Sequence, residues 1–247
     1  MSKPITIPSS PLHRIGKVSM LIAAVFALLF LLNLVPAAQA EKARAIAAPS
    51  KEVLMDDLGS SRIQEAIVFA GGCFWGIQAV FQHTKGVLSA VSGYAGGKSS
   101  TANYETVSRG SSGHAEAVQV SFDPKLVSYA QLLQIYFSVA HDPTQLNRQY
   151  PDVGTQYRSA IFYTNESQKL VAQRYIAQLD SARAFDQKIA TKVEAIDKFY
   201  PAERYHQNYA TLHPDSTYIA RFDLPKIGNL KAMFPTLYRE DPVLVAP

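Results

Sequence analysis

One cysteine, Cys73, occurs in the 247 residues, and that scarcity removes several chemistries at once. An internal disulfide needs two cysteines, so Cys73 is not a structural staple even in an oxidising compartment. The run His114-Ala115-Glu116 matches half of the zinc deaminase signature, whose other half is a later cysteine pair that this chain lacks. No His-Glu-x-x-His pattern or closely spaced histidine pair replaces it, so the sequence offers no zinc site. Excess positive charge is scarce too. Three of the 24 Lys and Arg and none of the 20 Asp and Glu lie in the first 40 residues, which leaves 21 basic against 20 acidic beyond them, a net of +1. Nucleic acid is therefore not an expected partner. The apolar run Met20–Leu32 stops at thirteen residues, short of the ~20 that a bilayer span requires.

What is present is a globular composition, 47% apolar and 18% charged, behind a distinctive start. Lys3, Arg14 and Lys17 precede that apolar run, and Pro36 and Ala38-Gln39-Ala40 follow it, which is the pattern of a secretory leader cleaved after Ala40. The competing reading keeps 18–35 as an N-terminal membrane anchor. Either way the expected location is exported, periplasmic or secreted. Residues 41–62, rich in Ala, Ser and charge without a period, read as a flexible tether, and 63–247 as the working domain.

Within that domain "EAIVFA" (65–70), "VLSAVSGY" (87–94), "EAVQVSF" (116–122) and "SAIFY" (159–163) read as strands. Ser128 with Gln131 and Asn165 with Gln168 have the spacing of helix-capping boxes and are followed by apolar positions at helical spacing. The order is mixed α/β. Residues 98–113 read as a long surface loop, and the tail beyond His213 as a wrap that adds no layer.

Cys73 follows a strand and Gly71-Gly72 and opens a helix on which Phe74, Ile77 and Phe81 share one face. Free N–H groups and the helix dipole at that position favour a thiolate. A buried, inert cysteine is the alternative. Strand alternation puts Glu116 on one face with Val118, Val120 and Phe122, where burial would raise its pKa and keep it a proton donor near neutral pH. Bending of Glu116 into solvent is the competing reading. Tyr94, Tyr104 and Tyr157 sit at loop ends as candidate hydroxyl donors, Asp152 lies near Tyr157, and Phe74 and Trp75 offer an apolar wall suited to a thioether-like group. His114, His141, His206 or His213 could instead meet Cys73 as the base of an acyl-transfer hydrolase.

Five ordered stretches, "GGCFWG", "GYAGG", "GHAEAV", "DVGTQYRSAIFY" and "YPAERYHQNY", resemble the A-type peptide methionine sulfoxide reductases over about residues 67–209. The resemblance implies a two-layer α/β sandwich around a mixed sheet, with a ferredoxin-like βαβ core, long loops and a coil-rich C-terminal tail. It implies reduction of the S epimer of methionine sulfoxide, free or in oxidised proteins, as a repair response to oxidative stress. Cys73 then corresponds to the nucleophile, Glu116 to the acid, Tyr104 and Tyr157 to the hydroxyls on the sulfoxide oxygen, Asp152 to a polar pocket residue, and Phe74 and Trp75 to the wall for the substrate methyl. His206 receives no catalytic role, packing of Tyr205 and Tyr209 being the simpler account of its motif.

Two departures stand out. Many relatives carry resolving cysteines, and this chain has none, so an external thiol of thioredoxin, glutaredoxin or glutathione type must reduce the Cys73 sulfenic acid. "STANYE" also lacks a proline often found before the tyrosine matched by Tyr104. No prosthetic cofactor is expected, and a monomer is the expected state. The competing functions are the Cys-His hydrolase and a sulfoxide- or peroxide-sensing binding domain without turnover.

Overall fold

The computed structural model describes residues 43–57 and 63–246. The expected leader and anchor, 1–40, lie outside them, and among the described residues no helix is long and apolar enough to cross a membrane.

Four strands form the centre of one sheet: β1 (Glu65–Ala70), β2 (Val87–Ala95), β3 (Ala115–Phe122) and β6 (Ala160–Tyr163). They lie in the order β6-β1-β3-β2, all neighbours antiparallel. Helix α2 (Phe74–Gln82) connects β1 to β2, and α4 (Tyr129–Ile135), extended by a π turn at Tyr136–Ala140, lies between β3 and β6. That is the ferredoxin-like βαβ arrangement. Two short edge strands complete the sheet: β7 (Lys192–Ala195), parallel to β6, and β8 (Phe199–Pro201), antiparallel to β2. The parallel β6–β7 pair makes the sheet mixed. A separate ribbon pairs β4 (Arg148–Gln149) with β5 (Asp152–Val153).

The two faces of the sheet bury different residues, which follows from the period-2 alternation of strand side chains. Ile67, Phe69, Val118, Val120 and Phe122 face the helices and pack with Phe74, Ile77, Val80 and Phe81 of α2. Val68, Ala70, Ala95, Ala115, Ala117 and Ala160 face the other way in a smaller cluster closed by Phe162, Ile196 and Phe199. Burial on both faces explains why β1 reads as an unbroken apolar run. Helix α5 (Glu166–Ser181) covers the helix-side face through Val171, Ala172, Tyr175 and Leu179.

Both predicted helix starts are present, with one difference. Ser128 Oγ accepts the Gln131 N–H (3.1 Å) and Gln131 Oε1 accepts the Ser128 N–H (2.9 Å), a complete capping box. Asn165 Oδ1 accepts the Gln168 N–H (2.9 Å), but the Gln168 side chain turns to the Thr164 N–H and the Ala66 carbonyl, which ties α5 to β1.

The tether expected at 41–62 is, over 43–57, a docked segment. Arg44 N–H donates to the Ser138 carbonyl, Tyr175 Oη to the Ala47 carbonyl (2.7 Å) and Gln178 Nε2 to the Ala48 carbonyl (2.8 Å). Helix α1 (Lys51–Asp57) then buries Val53. Its partners are supplied by α4, the π turn and α5, more than 80 residues away, so local composition could not reveal the docking. The tail beyond His213, after the one-turn helix α6 (Tyr209–Leu212), also holds more regular structure than expected: a π turn at Ile219–Asp223 and α7 (Leu224–Met233), which packs with α2 by burying Leu230.

Candidate active site

Antiparallel pairing brings the C-terminal ends of β1 and β2 and the N-terminal end of β3 to one edge of the sheet. Cys73 occupies the N-cap of α2 there, half-buried and with no side-chain cap bond. Gly72 before it has φ of +96°, a conformation that side chains other than glycine rarely adopt, and a Cβ on it would lie 2.5 Å from Gln149 Cγ. Gly71 is also closely packed, a Cβ on it falling 2.7 Å from the His141 ring. The Gly72 N–H donates to the Tyr157 carbonyl (3.2 Å), which fixes the loop of one candidate hydroxyl to the residue before the thiol.

Glu116 lies 2% exposed on the helix-side face of β3 and does not bend into solvent. Its Oε2 accepts the Phe74 N–H at 3.1 Å, so the carboxyl is attached to the first residue of the helix that Cys73 caps. Burial pushes its pKa up to about 8, opposed by the Phe74 bond and aided by the charge of Asp152. At pH 7 it is therefore about nine-tenths protonated.

The thiol behaves differently from the expectation of a stabilised thiolate. Burial, then the carboxylates of Glu116 and Asp223, hold the Cys73 pKa well above its ordinary value, while the Trp75 N–H pulls the other way. The free amides of one helix start do not overcome desolvation and two nearby acids. At rest the site holds a thiol beside a carboxylic acid, both neutral.

Tyr104 and Tyr157 converge on this pair. Both hydroxyls are pushed up by burial and next by the charge of Glu116, and each also feels Cys73 and Asp152. Tyr104 opens the one-turn helix α3 (Tyr104–Val107) inside the predicted loop, and Tyr157 ends a 3-10 turn at Thr155–Tyr157. Asp152 in β5 accepts a hydrogen bond from Tyr218 Oη. Its pKa is raised by burial, against the Tyr218 bond and the Lys226 charge.

Of the aromatic pair, Phe74 is buried (1% exposed) beneath His206 (5.0 Å between centroids) and Tyr94 (6.0 Å), whereas Trp75 keeps open surface. Trp75 stacks on Tyr209 (3.9 Å) and meets Tyr218 edge-on (6.0 Å). All seven predicted site residues therefore lie at one end of the sheet. Tyr218 was missed, because it lies in a tail without periodicity that returns to Trp75 only in three dimensions.

The histidines do not supply a base to Cys73. His114 bonds the Gly97 N–H and the Lys98 carbonyl, His141 bonds Ser159 Oγ and the Tyr136 carbonyl, and His213 stacks on Tyr209. His206 packs on Phe74 and Tyr104 with neither ring nitrogen hydrogen-bonded. Among the described residues no group of three or more His, Cys, Asp or Glu is arranged to hold a metal ion. The neighbouring Gln207 and Asn208 fasten the same stretch to α2 and β2 through Gln78, Gln82 and Ser92, so "YHQNY" is in good part a clamp.

A neutral thiol at a helix start, a buried protonated acid bonded to the next residue and two tyrosine hydroxyls form a set able to move protons and stabilise charge beside a sulfur nucleophile. The family model for peptide methionine sulfoxide reductase matches residues 65–234. The chain is 60% identical over 181 residues to peptide methionine sulfoxide reductase MsrA 2 of Mesorhizobium japonicum, which covers 73% of this chain and 93% of that protein. It is 49% identical over 173 residues to MsrA of Chromobacterium violaceum, covering 70% and 98%. Reduced Mxr1 of Saccharomyces cerevisiae superposes with a TM-score of 0.59 at 33% identity, over 64% of this chain and 90% of that one. Methionine sulfoxide reductase A of Corynebacterium diphtheriae does so with 0.53 at 30% identity, over 73% and 91%. The chain belongs to the peptide methionine sulfoxide reductases, and its activity is the reduction of methionine sulfoxide.

Proposed function

We propose that this chain reduces the S epimer of methionine sulfoxide, in oxidised proteins or free, in one oxygen transfer at Cys73. The observation that carries the roles is the buried Glu116 carboxyl, protonated at neutral pH and bonded to the N–H of Phe74 next to the thiol. Glu116 gives its proton to the sulfoxide oxygen while Tyr104 and Tyr157 hold that oxygen by hydrogen bonds. The sulfoxide sulfur becomes electrophilic, the Cys73 sulfur attacks it, and the thiol proton passes to the Glu116 carboxylate. In the adduct so formed the hydroxyl passes from the substrate sulfur to the Cys73 sulfur as the S–O bond breaks, and the S–S bond breaks with its electron pair leaving on the methionine thioether, so Cys73 is left as a sulfenic acid. Sulfur in the substrate is reduced by two electrons and Cys73 is oxidised by two. The Phe74 N–H bond favours ionised Glu116 and so stabilises it at the moment its proton has gone. Trp75, with Tyr209 and Tyr218 behind it, receives the methyl group, and Asp152 orients the polar side of the pocket through Tyr218.

Recycling takes two external thiols. The first displaces hydroxide as water and forms a mixed disulfide with Cys73. The second releases Cys73 as a thiol and leaves with the first as a disulfide. A thioredoxin-, glutaredoxin- or glutathione-like donor fits this chemistry, and the leader pattern of residues 1–40 supports action in an exported location.

One assay tests the reading: each epimer of a methionine sulfoxide peptide, with dithiothreitol, glutathione and thioredoxin compared as reductants, for the wild type and Cys73→Ser. Expected are turnover of the S epimer alone and none in the variant. Activity retained in Cys73→Ser sinks the mechanism. A single equivalent of methionine with every reductant would favour the sensing domain instead.

A further inference from the structure

The loop that carries Tyr104 is long and polar, and its one-turn helix cannot hold a hydroxyl in place by itself. Asn103 Oδ1 caps the Thr106 N–H (3.0 Å), which shapes the turn internally but attaches it to nothing. Its far end is held by Val107, buried in the core, and by Gln156 Nε2, which donates to the Ser108 carbonyl (3.1 Å); its first residue is held by Glu203, inside the motif "YPAERYHQNY" and just past β8. One carboxylate oxygen, Oε1, accepts the Tyr104 N–H at 2.9 Å, and the other, Oε2, accepts the Tyr94 hydroxyl at 2.7 Å. Tyr94 is fully buried in β2, where its register partner on β3 is Glu116. A single side chain therefore joins the backbone of Tyr104 to the strand that stands beside the acid. The ring of His206, three residues on, packs at 4.5 Å on Tyr104 and closes the clamp from the other side.

We infer that Glu203 is a positioning residue for sulfoxide reduction, holding the Tyr104 hydroxyl in register with Glu116 through the Tyr104 N–H and the Tyr94 hydroxyl. This rests on the reading that Tyr104 binds the sulfoxide oxygen. The carboxylate form is the one the site selects: burial works against ionisation of Glu203, but the bonds from the Tyr104 N–H and Tyr94 hydroxyl help to outweigh it and hold the carboxyl below its ordinary value. Glu203 reaches the site by the Tyr104 N–H and by the Tyr94 hydroxyl, and a Tyr104→Phe background separates the two routes. A displacement of about 1 Å of a catalytic group costs on the order of a hundredfold in rate, so losing the clamp should be felt in kcat.

The test is a mutant cycle on the full chain, with kcat and KM for a methionine sulfoxide peptide and amide hydrogen exchange at Tyr104. Glu203→Ala is expected to lower kcat by roughly 10- to 100-fold with KM changed less than about threefold, and to speed exchange of the Tyr104 N–H. Glu203→Gln should recover most of the loss, because its carbonyl can take the Tyr104 N–H while its amide donates to Tyr94. In a Tyr104→Phe background Glu203→Ala should have no further effect on kcat. A full Glu203→Ala effect in that background, or kcat within twofold of wild type in Glu203→Ala, overturns the inference. Should Glu203→Ala fail to fold, Tyr94→Phe removes the anchoring end alone, and a wild-type Tyr104 exchange rate in it overturns the clamp. Absence of sulfoxide turnover in the wild type would instead strike the functional reading, and unaltered Tyr104 exchange in Glu203→Ala strikes the clamp independently of activity.

Discussion

Replacing Glu116 by Gln separates the energetic cost of the buried acid from its use. Gln has nearly the same shape, and its carbonyl can still accept the Phe74 N–H that Glu116 takes at 3.1 Å, but it has no proton to give. In the folded wild type the carboxyl titrates near 8, chiefly through burial, against an ordinary value of 4.5. Between those two pH values the folded chain keeps a proton that the unfolded chain has lost. Stability from this group is thus fully present below pH 4.5, falls as pH rises, and is gone above about pH 8. At pH 7, some 2.5 units above the unfolded pKa, the deficit is about 3 kcal/mol, an upper bound at about 1.4 kcal/mol per unit. Glu116→Gln carries no such deficit.

The variant should therefore gain stability relative to wild type as pH rises from 4.5 to 7, by up to about 3 kcal/mol, read from urea unfolding. It should lose about 10²- to 10⁴-fold in the rate of methionine release, the usual range for removing a general acid. A single turnover without reductant is the right rate measurement, because it isolates oxygen transfer from recycling. In wild type that rate should decline above pH 8 as Glu116 ionises. A stability difference that ignores pH, or a Gln variant that releases methionine at the wild-type rate, refutes the buried acid and its role respectively.

Because Cys73 is held as a thiol by burial and by Glu116 and Asp223, iodoacetamide should alkylate it slowly at pH 7 and more slowly than a free cysteine peptide; faster alkylation would show a thiolate. In Gly76→Ala the new Cβ would fall 2.2 Å from Asp223 Oδ1 and 2.8 Å from Lys226 Nζ, so a loss of about 1–3 kcal/mol is expected in urea unfolding, and none is expected if α7 can shift freely. Removing residues 1–62 should cost at least about 2 kcal/mol relative to a chain starting at 41, from the buried Val53 side chain alone; equal stabilities would restore the tether. Ser128→Ala should lose about 1 kcal/mol by breaking the capping box and leave turnover unchanged, since the box ties together only the first turn of α4.

The parts of the fold that were legible are those set by neighbours in sequence. The alternation of β3 put Glu116 with Val118 and Val120, and the same alternation built the two faces of the sheet. Ser128 and Gln131 meet across one helical turn, so their spacing sufficed. The short edge strands β7 and β8 carry no such pattern: four and three residues of intermediate or full exposure are strands only because β6 and β2 offer them partners. The docked segment at 43–57 and helix α7 fall in the same class, their apolar positions being few and their partners remote.

At the site the same boundary runs through a single residue. Everything within a few positions of Cys73 argued for a thiolate: the preceding glycines, the helix start, its free N–H groups. What decides the charge lies elsewhere, first in burial that only the assembled chain creates, then in Glu116 on another strand and Asp223 in the tail. A neutral thiol cannot attack a sulfoxide by itself, and a neutral Glu116 cannot accept its proton. On the proposed mechanism each becomes competent when a sulfoxide oxygen takes the Glu116 proton, since the carboxylate left behind can then accept the thiol proton. The pair is thus switched on by the substrate's own basic oxygen. For a chain with no second cysteine that coupling has a further use: a resting thiol reacts slowly with stray oxidants, so the sulfenic acid forms chiefly when a methionine has been repaired.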